Sequence, residues 1–513
     1  MKKILLYSLL LCSGTALTTS CDDFLTEYPK DAIAEGEAIQ TLKDVDDYVI
    51  GIYSAFKNSA LYSGYLTTLP DLQTDLVYAI NGYSNANGEM YRWEFRSTTP
   101  QIEAVYQGLS LIVARCNKLL DIEDQVQAMV KNETDRVNLN KRLGEVYFAR
   151  SLAYAEMIRF YCDAYDPENA HNQLGISWTT SYRDAKPTPR ISLKQSYANV
   201  LADLDKAETL LPSNRNAPDS PFFSPAVVKA LKARLYLYMS EWDEAIKYST
   251  ELIDMDIYEL ADGTYYTTTS ASGAYLSAYD NMWYRDTSDE IIWKIAMSTT
   301  DRGGALGSMF LGFNGASYNP DYVPAQWVLD AYDYNDIRTR SFFKTVETGF
   351  SHGLTWPVLN KYPGNPNIDG GAQRLFTNMP KVFRLSEQYL IRAEAYYEKS
   401  KTDGAYTAKA NQDLTTLRKK RIKSYGTSNG SGDFLRDQIR RERVCELYME
   451  GFRMADLKRW KLGFERKPQQ QSVSGPDKLK VLPSDVRFTW PIPQHQLDAG
   501  MGVIQPNASN NLN

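Results

Sequence analysis

Histidine is scarce in this chain. Only His171, His352 and His495 occur among 513 residues, far apart along the sequence. A His-based metal centre needs neighbours at ligand spacing, and a Ser-His-Asp triad would rest on one isolated ring, so both chemistries are disfavoured. Cysteine is nearly as sparse: Cys12, Cys21, Cys116, Cys162 and Cys445, with no CxxC spacing. With Cys12 and Cys21 assigned to the N-terminal processing segment described below, an odd three remain, and neither a disulfide framework nor a zinc site is indicated. Each of the three lies in an apolar-periodic helical stretch, where a free thiol behaves as a small hydrophobe. A basic excess is missing too. Lys and Arg number 57 against 63 Asp and Glu, for a formal charge of -6, and without a basic surface to neutralise phosphates nucleic acid is excluded as a partner. No apolar run is long enough to span a bilayer; the one at residues 4–11 is far too short.

That short run has its own meaning. Residues 1–20, MKKILLYSLLLCSGTALTTS, combine two lysines, an apolar stretch and small residues, the pattern of a secretory signal. Cys21 follows at the place where a bacterial lipoprotein would be cleaved and lipidated. Thr18 stands where a strict lipobox carries Leu, which leaves ordinary cleavage without lipid as the alternative. With diacylglycerol plus an amide-linked acyl chain on Cys21 the protein would be tethered to a membrane rather than embedded in it. Asp22 and Asp23 resemble an acidic tag for export to the cell surface, or else a solvated tether. The expected organisation is a signal at 1–20, a lipidated tether at 21–36 and a single domain over 37–513.

Tyrosine is abundant, 36 residues against 18 Phe. A core would be served as well by Phe, so the excess of rings with a polar tip points to aromatic surfaces facing water or a polar ligand.

Helix signals dominate the domain and come in pairs. Residues 141–161 form one long pattern; residues 192–211 begin at an N-cap serine and stop before Pro212. Ser224 and Pro225 open another helix as N-cap and first-turn proline, and 242–255 follows with almost no loop, which predicts an antiparallel hairpin. The arrangement recurs at 386–399 and 405–421. Ala230 and Ala233, then Ala393 and Ala395, lie at helix-contact spacing with Tyr236 and Tyr396 beside them. The expected fold class is mainly α, a scaffold of tetratricopeptide-like helical hairpins, with unrelated antiparallel pairs as the alternative.

Between the helices lie Gly-, Asn- and Tyr-rich segments at 81–95, 261–284, 310–323 and 349–371, within loop-rich subregions near 60–110 and 258–380. Long loops held by a rigid scaffold are where binding residues concentrate. Tyr83, Trp93, Tyr318 and Trp356 stand among turn residues and are the candidate ligand platforms, whereas Trp283 and Trp293 flank an apolar strand-like run and are expected in the core. Tyr and Trp faces stack on sugars or on peptide side chains alike, so the ligand class stays open between the two. No cofactor is called for. Asp- and Asn-rich loops contain the oxygen ligands that a structural calcium takes, but no EF-hand spacing.

Residues 433–460 read as one helix with Glu442, Glu446 and Glu450 in a row at four-residue intervals. Two carboxylates on one face could serve as acid and base on a glycosidic bond, and a helical surface glycosidase is the enzymatic alternative. Arg443, Arg453, Asp456 and Arg459 interleave with them at contact spacing, however, and an acid among arginines stays ionised. The set Glu442, Arg443, Glu446, Glu450, Arg453 and Asp456 is therefore expected to be a structural ion network, with no catalytic residue in it.

Residues 439–460, IRRERVCELYMEGFRMADLKRW, closely resemble the late helix of the SusD/RagB family of nutrient-binding outer-membrane lipoproteins. CDDFLTEYP at 21–29, EVYFARSLAYAEMIRFY at 145–161, DYNDIRTRSFF at 333–343, YLIRAEAYY at 389–397 and the terminal WPIPQHQL with Gln505-Pro506-Asn507 resemble it in family order. The resemblance implies a tetratricopeptide-helical scaffold with an irregular ligand-binding face, lipid-anchored through Cys21 at the outer membrane and facing the exterior. It implies a protein that is not an enzyme. Its partner would be a SusC-type TonB-dependent transporter, to which a captured oligosaccharide, or in some members a peptide, is delivered. The ligand loops vary across the family, so no binding residue carries over.

Overall fold

The computed structural model describes residues 39–183, 186–270, 273–351, 353–370, 375–471 and 479–512. The signal at 1–20, Cys21, the 21–36 tether and His352 lie outside the described residues.

Among the described residues the helices used below follow one another: α1 (Leu42–Ala55), α2 (Pro100–Leu120), α3 (Glu133–Tyr161), α4 (Leu193–Leu210), α5 (Pro225–Met239), α6 (Trp242–Ile253), α7 (Ala278–Tyr284), α8 (Arg338–Phe342), α9 (Leu385–Ser400), α10 (Ala405–Lys419), α11 (Gly432–Leu447) and α12 (Arg453–Arg459). Their starts are set by local chemistry. Asn132, Ser192 and Ser224 each accept a hydrogen bond from a backbone N–H of the first turn, and Pro225 occupies N1, where no N–H is needed. Ser240, left-handed at φ 62°, turns the chain from α5 into α6.

The helices pack as hairpins: α3 against α4, α5 against α6, α9 against α10, with α1 and α2 on α3 and α9 on both α6 and α11. This is the mainly helical, tetratricopeptide-like scaffold read from the sequence. Small residues bring the axes together; Ala233, Ala245, Ala395 and Ala455 share one apolar cluster with Leu237 and Ile391. The C-terminal half of α3 is buried on every side from Leu143 to Tyr161. A helix buried all round must sit at the centre of the scaffold, and its charges are paired: the Arg150 guanidinium donates to both carboxylate oxygens of Asp203 at 2.7 and 2.9 Å. Cys116, Cys162 and Cys445 are buried free thiols.

The segments between the hairpins are not bare loops. Short antiparallel pairs stiffen them: β1 (Val77–Ala79) with β5 (Tyr322–Pro324), β2 (Thr268–Thr269) with β3 (Tyr275–Leu276), β4 (Ile291–Lys294) with β8 (Lys381–Arg384), and β6 (Phe343–Glu347) with β7 (Thr355–Leu359). Trp283 and Trp293 are in the core as expected, 2% and 1% exposed.

Trp93 is a correction. Among turn residues in the sequence, it is nonetheless only 1% exposed, packed on Phe95, Phe464 and Phe488 at 5.0 to 6.0 Å, with its indole N–H donated to the Gln73 carbonyl. A left-handed backbone at φ 60° turns the ring inward. Trp93 is a core residue, not a ligand platform. The tyrosine excess is only partly a surface feature. Many rings are buried and use the phenol to bond carbonyls far along the chain: Tyr161 to Ile102 at 2.6 Å, Tyr322 to Ala86 at 2.6 Å, Tyr362 to Met449 at 2.8 Å, Tyr448 to Leu76 at 3.1 Å. Phe could fill these volumes but would lose each of these long-range hydrogen bonds.

The expected single helix over 433–460 is broken. α11 ends at Leu447, Met449 and Gly451 take left-handed φ of 58° and 86°, and α12 starts at Arg453. Gly451 is required there, because a Cβ would lie 2.4 Å from the Leu66 carbonyl oxygen. Glu450 is therefore on the turn and not in a row with Glu442 and Glu446. The network is real, but most of its partners are distant in sequence. Glu446 accepts from Arg384 at 2.8 Å, Arg421 at 3.0 Å and Arg338 at 3.1 Å; Glu442 from Arg338 and Arg418, each at 2.6 Å; Glu450 from Lys361 and Arg384, each at 2.7 Å. Arg443 and Arg453 pair not with the neighbouring glutamates but with Asp456 and Asp75, at 2.8 to 3.0 Å. Only Arg459 to Asp456, at 2.9 Å, is the local i,i+3 pair that the spacing predicts.

Burial pushes the Glu446 carboxyl upward, but the charges of Arg421, Arg384 and Arg338 outweigh it and hold it well below the usual carboxylate range. Glu442 and Asp456 are likewise held low against burial by their arginines. Folded values below unfolded ones mean that this stabilisation is complete above the ordinary glutamate range, about 4.3, and is lost as pH falls through the folded values. The urea midpoint should therefore drop below about pH 4, and a midpoint that stays flat to pH 3 contradicts the assignment. Glu446→Gln, which leaves three buried guanidinium groups short of a charge, should cost about 3 to 5 kcal/mol in urea unfolding. Trp93→Ala should cost about 3 to 5 kcal/mol through the cavity it opens, read as a fall in melting temperature.

Candidate ligand-binding site

The carboxylates that resembled an acid–base pair are enclosed. Glu442 and Glu446 are 3% and 0% exposed, and each is surrounded by guanidinium groups. A general acid must carry a proton near neutral pH and reach its substrate. Neither condition is met, since the arginines keep both groups ionised and the packing closes them off.

The other three aromatic candidates come together. Tyr83, Tyr318 and Trp356, separated by up to 273 positions in the numbering, all pack on one small apolar cluster of Tyr78, Ile80, Leu311, Val323, Val346, Val358 and Phe376, distinct from the main core. The strands explain the convergence. β1 and β5 bring Tyr78 beside Val323, and the β6–β7 register sets Val346 opposite Trp356, so residues from three distant segments meet on one patch. A parallel bridge between Tyr318 and Thr348, with the Gly349 N–H donating to the Tyr318 carbonyl at 2.9 Å, joins the 310–323 segment to the end of β6.

Each ring is partly buried, with one side in the cluster and the remainder at the surface. Trp356 meets Phe350 edge-on at 5.7 Å and donates its indole N–H to the Tyr78 phenol at 3.2 Å. Tyr318 leans on Phe313 at 4.9 Å, and the Lys344 ammonium lies 5.4 Å from the Tyr318 ring centroid. Tyr83 lies 5.8 Å from Tyr322; its phenol donates to Asn85 at 2.9 Å and accepts from Arg92 at 2.8 Å. The rings are thus fixed in place by hydrogen bonds and by neighbouring aromatics, which is what a stacking surface needs if it is to bind without first losing side-chain entropy. Beside them Leu354 is 68% exposed.

Phe313, Phe350 and Lys344 belong to this patch and were not singled out from the sequence. Phe313 and Phe350 stand next to glycines in the quoted segments, which marks a turn but not the direction of a ring. Lys344 gives no sequence signal. Among the described residues no group of three His, Cys, Asp or Glu side chains is arranged to hold a metal ion, and no helix is long and apolar enough to cross a membrane.

Two family models match the chain: the SusD family over residues 343–509, and a model described as starch-binding associating with outer membrane over residues 23–237. SusD-like protein P25 of Formosa agariphila is 21% identical, with 96% of each chain covered, and SusD-like protein P2 of the same organism is 23% identical, with 95% of this chain and 96% of that one covered. Among solved structures, a SusD superfamily protein from Bacteroides thetaiotaomicron superposes with a TM-score of 0.75 at 23% identity, covering 91% of this chain and all of the other. A putative sugar binding protein from Bacteroides vulgatus superposes with a TM-score of 0.73 at 23% identity, covering 92% and 99%. With the hairpin scaffold, both family models and full-length relatives in agreement, the chain belongs to the SusD-like family.

Proposed function

We propose that this protein is a non-catalytic glycan receptor of the outer membrane, which captures oligosaccharides and delivers them to a SusC-type TonB-dependent transporter. In this reading Cys21 carries the lipid, residues 21–36 are the tether, and residues 37–513 act as one unit facing the cell exterior. The observation that carries the proposal is the convergence of Tyr83, Tyr318 and Trp356 on one braced, partly exposed aromatic patch. The apolar C–H faces of pyranose rings suit such a patch, while Lys344 and Asn85 at its rim offer polar partners to hydroxyls. The sugar-binding and starch-binding descriptions of relatives point the same way. Binding without turnover fits the enclosure of Glu442 and Glu446, the two carboxylates that resembled an acid–base pair, among arginines.

Capture and handover need an affinity strong enough to collect ligand and weak enough to release it. Several modest stacking contacts along one oligosaccharide meet that need better than a single deep pocket, because binding and release then proceed ring by ring.

Calorimetric titration of the full-length protein in detergent with plant, host and microbial oligosaccharides, beside a mixed peptide pool, tests the reading. Saturable binding to a glycan with no new reducing ends after long incubation is the expected result. Binding to peptides alone would replace the ligand class, and reducing ends that vanish in Glu446→Gln while that variant stays folded would restore the glycosidase alternative. Trp356→Ala and Tyr318→Ala should each weaken glycan binding by about 1 to 3 kcal/mol, as removal of an anchoring aromatic does. Unchanged affinity in both would move the site elsewhere.

A further inference from the structure

A second group of exposed rings lies on the β2–β3 hairpin and the residues leading into it. Tyr265, Tyr266 and Tyr275 are 58%, 50% and 71% exposed, values unusual for side chains that could as easily have packed. They are not loose. The Tyr266 and Tyr275 rings lie 5.8 Å apart, inclined at 38°, and the Arg340 guanidinium lies 4.8 Å from the Tyr266 centroid. The hairpin itself is held by Arg285, which donates to the Thr269 carbonyl at 2.7 Å and to the Thr268 hydroxyl at 3.1 Å.

Beside Tyr265 a cavity of about 310 Å³ opens to solvent, lined among others by Glu259, Asp262, Thr267, Asn281 and Asp289. Its size matches the lower end of small-molecule sites. Tyr265 lines one side, and most of the remaining polar lining is oxygen. Two of the acids are partly balanced by Lys420, whose ammonium stands 3.4 Å from Glu259 and 3.3 Å from Asp262; Asp289 has no cation within ion-pair distance among the described residues. An aromatic side chain among hydrogen-bond acceptors suits a molecule with one apolar face and many hydroxyl donors.

We propose that this cavity and the Tyr266–Tyr275 lip form a second carbohydrate-contact site, taking neutral, hydroxyl-rich sugar residues and rejecting uronates and sulfated sugars. Stacking on Tyr265 would orient the ring, and Asp289 and Glu259 would accept from its hydroxyls; a ligand carboxylate or sulfate inside the cavity would meet like charge instead. The site is built separately from the Trp356 patch but braced by the same short stretch of chain. Arg340 in α8 supports Tyr266, and four residues later Lys344 in β6 lies over Tyr318. Two contact sites on one receptor would favour long polysaccharides over short fragments through effective concentration alone. The choice of a sugar as the ligand class rests on the function proposed above.

The test is hydrogen–deuterium exchange of the full-length protein in detergent, with maltohexaose, cellohexaose, xylohexaose, mannohexaose and hexagalacturonate as probes. Wild type, Trp356→Ala and the double variant Tyr265→Ala/Tyr275→Ala are compared, with Tyr275→Ala alone as a milder change if the double variant does not fold. The expected result is protection of residues 258–289 by at least one neutral hexaose and not by hexagalacturonate. That protection should persist in Trp356→Ala and need about tenfold more sugar, or disappear, in the tyrosine variants. Protection confined to 310–360 overturns the second site and leaves the receptor reading intact. Protection confined to 258–289 supports the second site and displaces the Trp356 patch. Protection by hexagalacturonate overturns the selectivity, and protection of neither segment by any neutral hexaose overturns both assignments.

Discussion

Glu446 stands where three buried arginines from three separate segments meet. Arg338 comes from the start of α8, Arg384 from the end of β8 and Arg421 from the turn after α10, and each shares its guanidinium with a further carboxylate, Glu442, Glu450 or Glu290. Desolvating so many charges is expensive, and a well-packed apolar plug of the same volume could be as stable. What apolar contacts cannot supply is direction. A guanidinium fork accepts carboxylates in few orientations, so the cage fixes how the late hairpin pair, the strands β4 and β8 and the Asp333–Phe343 segment sit together. Lys361, bonded to Glu450 and the Tyr448 carbonyl, ties the end of the β6–β7 unit to the same knot.

The proposed ligand face inherits its geometry from that knot. β6 continues directly from α8, which opens at Arg338, and β7 runs toward Lys361, so both strands that carry the Trp356 patch are anchored at one end by the cage. At the other end they have only the small satellite cluster and the bridge to Tyr318. Such a platform is stiff at its root and thinly packed at its tip, an arrangement suited to presenting rings to a ligand while the scaffold stays unchanged. The helices contribute no candidate ring to that patch; their part is to hold the root.

Legibility in the sequence followed the range of the interaction. Caps at Ser192 and Ser224, the N1 proline at Pro225, the hairpin at 224–253 and the small residues at Ala233 and Ala395 depend on neighbours within a few positions, and all were readable. The core positions of Trp283 and Trp293 were readable as well, because an apolar strand lay beside them. Trp93 was misread, since turn residues around a tryptophan say where the backbone bends and not which way the ring then points. Tyrosine was legible only in part for a related reason: composition counts phenols but cannot tell a phenol facing water from one that bonds a carbonyl hundreds of residues away, as Tyr448 does with Leu76. The network around Glu446 was recognised by its residue types, yet Arg443 and Arg453 were assigned to the wrong partners. Four-residue spacing presumes an unbroken helix, and Gly451 interrupts it at the place where Leu66 comes too close for any side chain.

By itself the sequence determined the helical hairpins, their caps and breaks at serine and proline, the net negative charge, and the charge set that would be buried together. These follow from periodicity, local hydrogen bonding and the cost of leaving ions unpaired, none of which requires knowledge of the distant chain. Only the tertiary structure decided which guanidinium meets which carboxylate, that Trp93 turns inward, and that Tyr83, Tyr318 and Trp356 share one patch. Those outcomes depend on contacts between segments whose separation is set by the packing of the whole scaffold, and a side chain's final direction is known only when its neighbours across the fold are in place.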